Sequence, residues 1–229
     1  DMHGFNRLGG NSVAETVVAG MIVGEFIADF CESSAGEIDI PTALVREAIT
    51  VERAKLDELL KGSGPERADA LKMEMQQIMT DRVGIFRTGA DLEEAVHRLQ
   101  GLLVRSRRIG LRYKVDGPNP ELVTAYRTQK MLKVALCVAA GALARTESRG
   151  AHFREDFPRR DDTTWLKRTL ATWRDPSDTL PSLAYEPLDV MTMELPPGWR
   201  GYGAKNYVDH PDTALRAAEV QRLREGLAS

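Results

Sequence analysis

Residues 3 to 12 read HGFNRLGGNS and lead straight into the apolar run VAETVVAGMIV. Gly9 and Gly10 allow a tight turn and a close approach of backbone to a ligand. Asn11 or Ser12 can cap the helix that follows. The unpaired amides and the positive end of that helix then face whatever lies ahead of it, which is the make-up of an anion site. Arg7 carries the planar fork that grips a carboxylate or phosphate through two parallel hydrogen bonds. The same residues also suit an ordinary loop-to-helix cap with Arg7 in solvent, and the pattern alone does not separate the two. His3 lies four residues before Arg7 and could orient the loop.

Other chemistries find little footing. Cys31 and Cys137 are the only cysteines, which suggests reduced thiols and no disulfide framework. Cys137 sits in an apolar run and reads as a small core residue. No Cys/His spacing fits zinc or an iron–sulfur cluster, and no GxSxG occurs. No GxGxxG follows a strand, so the chain has no site of its own for the ADP half of a dinucleotide. A net charge of -3 and a pI near 5.9 give no reason to expect nucleic acid. The most apolar stretches are residues 13–31, interrupted by Glu15, Glu25 and Asp29, and residues 131–144, which are too few to span a bilayer. A chain that opens on Asp1 and a turn is expected to carry no signal peptide and to be the C-terminal portion of a longer cytoplasmic protein.

The elements that must position this turn are mostly helical. Ala14, Val17, Val18, Met21 and Ile22 repeat at helical spacing, which predicts a helix over residues 13–31. Residues 32–40 read as a linker. Pro41 suits the first turn of a second helix running to about Leu60, with Val45, Ala48, Ile49, Leu56 and Leu59 on its apolar face. GSGP at 62–65 is a break. Ala68, Leu71, Met75 and Ile78 mark a third helix. Leu92, Ala95, Val96, Leu99 and Leu103 mark a fourth, capped by Thr88 or Asp91. Arg105 to Arg108 read as its solvated end. DGPNP at 116–120 stops any helix. From Glu121 to Glu147 one face holds Leu132, Ala135, Leu136, Ala139 and Leu143, and another holds Val134, Val138 and Ala142, which predicts a helix central in a bundle. Residues 149–162 are dense in charge without a period, the composition of a solvated, self-paired surface. Residues 164–173 and 182–193 could pair as a hairpin, although WLKRTLATW could also be helical. Pro196 to Gly203 is irregular, and a tail helix falls near 212–227. His97 and His210 read as surface or capping residues.

Two blocks together carry a family resemblance. HGFNRLGGNSVAETVVAG resembles the C-terminal edge of the flavin-binding domain in fumarate reductase and succinate dehydrogenase flavoproteins. RTESRGAHFREDFPRRDDTTWLKRTL, at 145–170, is similar to that family's C-terminal pattern SRGAH–x–RED–x–P–x–RDD–x–x–WLK. L-aspartate oxidases share the first block, but the RDD and WLK portions are not expected in them. LDVMTMELPPGWRGYGAKNYVDHP resembles the quinol:fumarate reductase branch whose membrane anchor carries two haems.

The resemblance implies a mainly α fold. Residues 1–31 would form the edge of an FAD-binding α/β domain, 40–148 a helical bundle, and 149–229 a charged loop, a hairpin and a tail helix. It implies that Arg7 binds one carboxylate of fumarate or succinate. Ser12 and Val13 would meet the pyrimidine edge of the flavin, with Asn11 beside them in the same cofactor-binding turn. The family usually has Ser-Leu where this chain has Ser12-Val13. A helix N-terminus aimed at the flavin N1 and C2 carbonyl would stabilise its reduced form. The charged block would dock the C-terminal part near the flavin domain. The covalent flavin-linking histidine, the proton-delivering arginine and the other substrate ligands would lie upstream of Asp1, leaving this portion inactive by itself. The implied partners are an iron–sulfur subunit and a membrane cytochrome b anchor, which would hold the protein at the cytoplasmic face of the inner membrane. A free-standing, non-catalytic helical interaction module is the alternative of a different class.

Overall fold

The computed structural model describes residues 9–34, 41–115, 117–192 and 209–227. The chain divides into two units, Asp1–Lys55 and Leu56–Ser229.

The first unit holds α1 (Asn11–Ser33) and most of α2 (Thr42–Lys61). Both helices form where the apolar period predicts them, α1 two residues longer at each end. Pro41 lies just ahead of α2, where its carbonyl accepts from the amides of Leu44 and Val45 at 2.9 and 3.3 Å. Neither helix buries a residue. Val17, Met21, Phe26 and Phe30 of α1 are all exposed, as are Val45 and Ile49 of α2.

The second unit is built around α3 (Ala68–Arg82), α4 (Gly89–Ser106) and α5 (Pro120–Ala144). Their apolar stripes meet in one core that includes Leu71, Met75 and Ile78, then Leu92, Leu99 and Leu103, then Leu132 and Leu136. Each such leucine contributes roughly 1.5–3 kcal/mol by leaving water. Leu59 and Leu60, at the end of α2, pack on its margin. Thr88 caps α4: its hydroxyl accepts from the Asp91 amide at 3.2 Å and donates to the Asp91 carboxylate at 2.7 Å. Asn119 caps α5 by accepting from the Leu122 amide at 3.1 Å, with Pro120 in the first turn.

α5 departs from expectation on its second face. Ala142 is buried, but Val134 and Val138 are 64% and 45% exposed. The core covers one side of this helix only, so an apolar second stripe does not make it central within the described residues. Arg105 also departs: it is no free helix end, because it bonds Glu66 at 2.9 Å and Glu74 at 2.8 Å.

Two small sheets complete the unit. β1 (Phe86–Arg87) pairs in parallel with β2 (Phe153–Arg154), matching Phe86 to Phe153 and Arg87 to Arg154. After a single helical turn, α6 (Asp162–Trp165), β3 (Lys167–Thr172) pairs antiparallel with β4 (Ser182–Pro187). The hairpin reading of this stretch therefore holds and the helical one does not. A 3-10 turn at Val190–Thr192 precedes α7 (Thr213–Leu227), the expected tail helix.

Candidate functional site

The turn singled out by its residue types is described from Gly9 onward; His3 and Arg7 lie outside the described residues. Gly9 has φ of +45°, a left-handed conformation that favours glycine. Gly10, rather than Asn11 or Ser12, occupies the N-cap, and no side chain caps it. Asn11 and Ser12 are already helical, so their side chains are released from the capping role. The ladder begins one step later, where the Val13 and Ala14 amides both donate to the Gly10 carbonyl at 3.0 Å. Helix geometry leaves the Asn11 and Ser12 amides ahead of it. The Ser12 hydroxyl oxygen is buried and has no hydrogen-bond partner. A buried polar atom left unmatched costs about 1–3 kcal/mol, and here it stands beside the first two amides of the helix, which have no partner within the helix itself. Such a donor set fits an oxygen-rich ligand edge, and a flavin pyrimidine edge is one.

The charged block near residues 145–162 forms a different kind of site. Glu147 is fully buried. Its carboxylate accepts from Arg145 Nη1 at 2.6 Å, from Arg149 Nε and Nη2 at 2.8 and 3.1 Å, and from the Asp161 amide at 2.7 Å. Arg149 continues to Asp162 at 2.7 Å, and Arg160 bonds the same carboxylate at 2.8 Å. Burial works against the charge of Asp162, yet the Asp209 amide at 2.9 Å, Arg149 and Arg160 hold it below the usual carboxylate range. Trp165 is flanked by the Arg145 guanidinium and the Lys167 ammonium, 4.8 and 4.6 Å from its ring.

Arg154, 2% exposed, joins this block to the bundle. Its Nη1 donates to the carbonyls of Ala142, Leu143 and Arg145 at 3.0–3.3 Å, closing the C-terminal end of α5. Its Nε and Nη2 grip both oxygens of Asp156 at 2.8 and 2.7 Å. Asp156 in turn accepts from the Gly89 amide at the start of α4 at 3.0 Å. One ion pair thus sets a cation at one helix C-terminus and an anion at another's N-terminus, each where the helix dipole favours it. The Arg154 hydrogen bond holds Asp156 down at about 2.

A solvated, self-paired surface is expected at 149–162; the pairing is found and residues 155–159 are exposed, but Arg154, and Glu147 and Ser148 just ahead of the stretch, are buried. Each charge arrives with its partner, so the desolvation penalty is offset by ion pairs and by backbone donors and acceptors. Composition gave these residues no role, and their role is to position. The signal that could have found them is an alternation of opposite charges at every second residue: Arg145, Glu147, Arg149; Arg154, Asp156; Arg160, Asp162. In extended chain such residues share a side.

Comparison with known proteins fits this geometry. A family model described as the fumarate reductase flavoprotein C-terminal region matches residues 72–202. The fumarate reductase flavoprotein subunit of Helicobacter pylori is 50% identical over 96% of this chain and 31% of its own length. The succinate dehydrogenase flavoprotein subunit of Bacillus subtilis is 31% identical over 89% of this chain and 34% of its own. A solved quinol fumarate reductase from E. coli superposes with a TM-score of 0.71 at 34% identity, covering 82% of this chain and 32% of that one. The chain thus spans about a third of the length of these relatives.

Proposed function

Since the chain belongs to the fumarate reductase flavoprotein C-terminal family, we propose that it is the C-terminal third of a flavoprotein that interconverts fumarate and succinate. The match over residues 72–202 carries this reading. FAD, when bound, would supply the hydride chemistry. Arg7 would hold and polarise one carboxylate of the substrate, a task suited to a cation charged at every working pH. The Asn11 and Ser12 amides and the unmatched Ser12 hydroxyl would meet the flavin's pyrimidine edge, with Val13 in the same turn. Residues 1–31 would belong to the FAD-binding domain and 40–148 to a bundle that supports it. The ion-paired block at 149–162 would dock the C-terminal part against that domain. An iron–sulfur subunit would exchange electrons with this flavoprotein, and a membrane cytochrome b anchor, of the two-haem type, would exchange them with quinol. The protein would sit at the cytoplasmic face of the membrane through those partners, since no helix among the described residues is long and apolar enough to cross a membrane.

The test is Arg7→Lys in the full-length enzyme. Lysine keeps the charge and loses the fork, so kcat/KM for fumarate should fall about 100-fold or more, in line with the roughly 2–5 kcal/mol that a truncated, desolvated charge pair costs. Unchanged affinity and turnover would end the assignment. The 229-residue chain, purified alone, should be colourless and inactive.

A further inference from the structure

His152 is held at both ring nitrogens by groups with no freedom of role. Nδ1 lies 2.9 Å from Arg87 Nη1, and Nε2 lies 3.2 Å from the Arg145 carbonyl oxygen. A guanidinium can only donate and a carbonyl can only accept. Nδ1 must therefore be bare and Nε2 must carry the proton, so the two partners select a neutral ring and a single tautomer. The backbone of His152 is fixed as well. Its carbonyl and amide bond the Arg149 amide and carbonyl at 2.8 and 2.9 Å, across a turn in which Gly150 has φ of +57°.

Arg87 is equally committed. Its Nε donates to the Gly84 carbonyl at 2.8 Å, and no described carboxylate pairs with it. Arg87 and His152 are thus each other's side-chain partners, joining the β1 turn to the segment from Arg149 to Asp156. Three cations face the ring: Arg87 from β1, Arg145 from the end of α5, and Arg154 from β2. The nearby carboxylates are taken, Glu147 by Arg145 and Arg149, and Asp156 by Arg154.

We propose that His152 is an acid-released latch: uptake of one proton at Nδ1 breaks its bond to Arg87 and loosens the hold of the Arg149–Asp156 segment on the β1 turn, leaving the β1–β2 pairing and the Asp156–Gly89 bond to carry it. The protonated ring would have a donor facing a donor and a fourth positive charge beside three. Burial most of all depresses its affinity for a proton; the bond to the Arg145 carbonyl opposes this, and the three arginines add to the depression, so the net direction is down. The direction follows. The freed ring binds a proton near the ordinary histidine value of about 6.5, and the latched ring resists it. The latch holds above that pH and is lost progressively as pH falls below it.

The test is amide hydrogen exchange of the full-length polypeptide from pH 8 to pH 5. Peptides spanning 84–88 and 150–157 are referenced to peptides within α5, so the intrinsic pH dependence of exchange cancels. The ratio should be flat above about pH 7 and rise below it, by at most about tenfold per pH unit for one proton. His152→Gln supplies an acceptor and a donor that do not titrate, and its ratio should stay flat. Arg87→Gln removes a cation from the latched ring and leaves the freed ring unchanged, so its rise should keep its onset and become smaller. A flat wild-type ratio from pH 8 to 5, or an undiminished step in His152→Gln, overturns the proposal. Should both variants fail to fold, a wild-type ratio that stays flat from pH 8 to 5 still overturns the proposal, because histidine is the side chain that ordinarily titrates in that window.

Discussion

Helix α1 and the segment from Arg145 to Asp162 are inverses of one another. The first is rich in valine, methionine and phenylalanine and buries none of its residues. The second is rich in arginine, aspartate and glutamate, yet Glu147 and Arg154 are among the most buried side chains in the molecule. Burial here follows the supply of partners more closely than it follows residue type. The charged segment carries its own counter-ions at alternate positions and finds carbonyls waiting at the end of α5. The apolar helix finds no cover among the described residues, and exposed apolar surface on this scale marks a face that another surface meets. The rest of the proposed flavin-binding domain would provide it.

That contrast can be broken or sharpened by substitution. Glu147→Ala should have the largest effect, because it strands Arg145 and Arg149 beside an unmatched Asp161 amide. A loss of about 3–5 kcal/mol in urea-induced unfolding is expected, and a loss below about 1 kcal/mol would show the network to be ornament. Leu136→Ala, in the core face of α5, should cost about 2–5 kcal/mol by the same measurement. Thr88→Ala removes the cap of α4 and should cost about 1 kcal/mol.

Asp156→Asn should matter mainly through pH. The wild-type carboxyl is held at about 2, below its unfolded value, so its contribution is present above about pH 4 and disappears as pH falls toward 2. The variant should lose that part of the acid dependence, and a melting-temperature series from pH 5 to pH 2 would show it. The smallest effect belongs to α1. Phe26→Ser in the 229-residue chain should change stability by no more than about 0.5 kcal/mol, because Phe26 is already 71% exposed. The same substitution should be far more costly in the full-length protein. Equal costs in both would remove the contrast.

The helices were legible in the sequence because their apolar residues recur at the period of the elements they build. Leu92, Ala95, Leu99 and Leu103 all reach the core, and a period of this kind survives any tertiary arrangement. The limits were tertiary. Val134 and Val138 share the chemistry of Leu132 and Leu136, and only the position of the neighbouring helices decides which pair is covered. The charged block has opposite charges on alternate residues, a pattern that a search for apolar periods passes over. In the glycine turn, residue types indicate an anion site, but only the folded turn shows that Gly10 takes the cap and leaves the Ser12 hydroxyl unmatched.

The closing of α5 by Arg154 also has a place in time. The helix ends at Ala144, and the guanidinium that satisfies its last carbonyls belongs to a residue made ten positions later. A ribosome adding roughly 5–20 residues per second takes about half a second to two seconds to cover that interval, whereas a helix forms in about a microsecond or less. Newly made α5 must therefore wait, with its final turn free to fray, until the chain delivers its own stopper. A pause or a truncation between these two points would leave a nearly complete bundle with one open end.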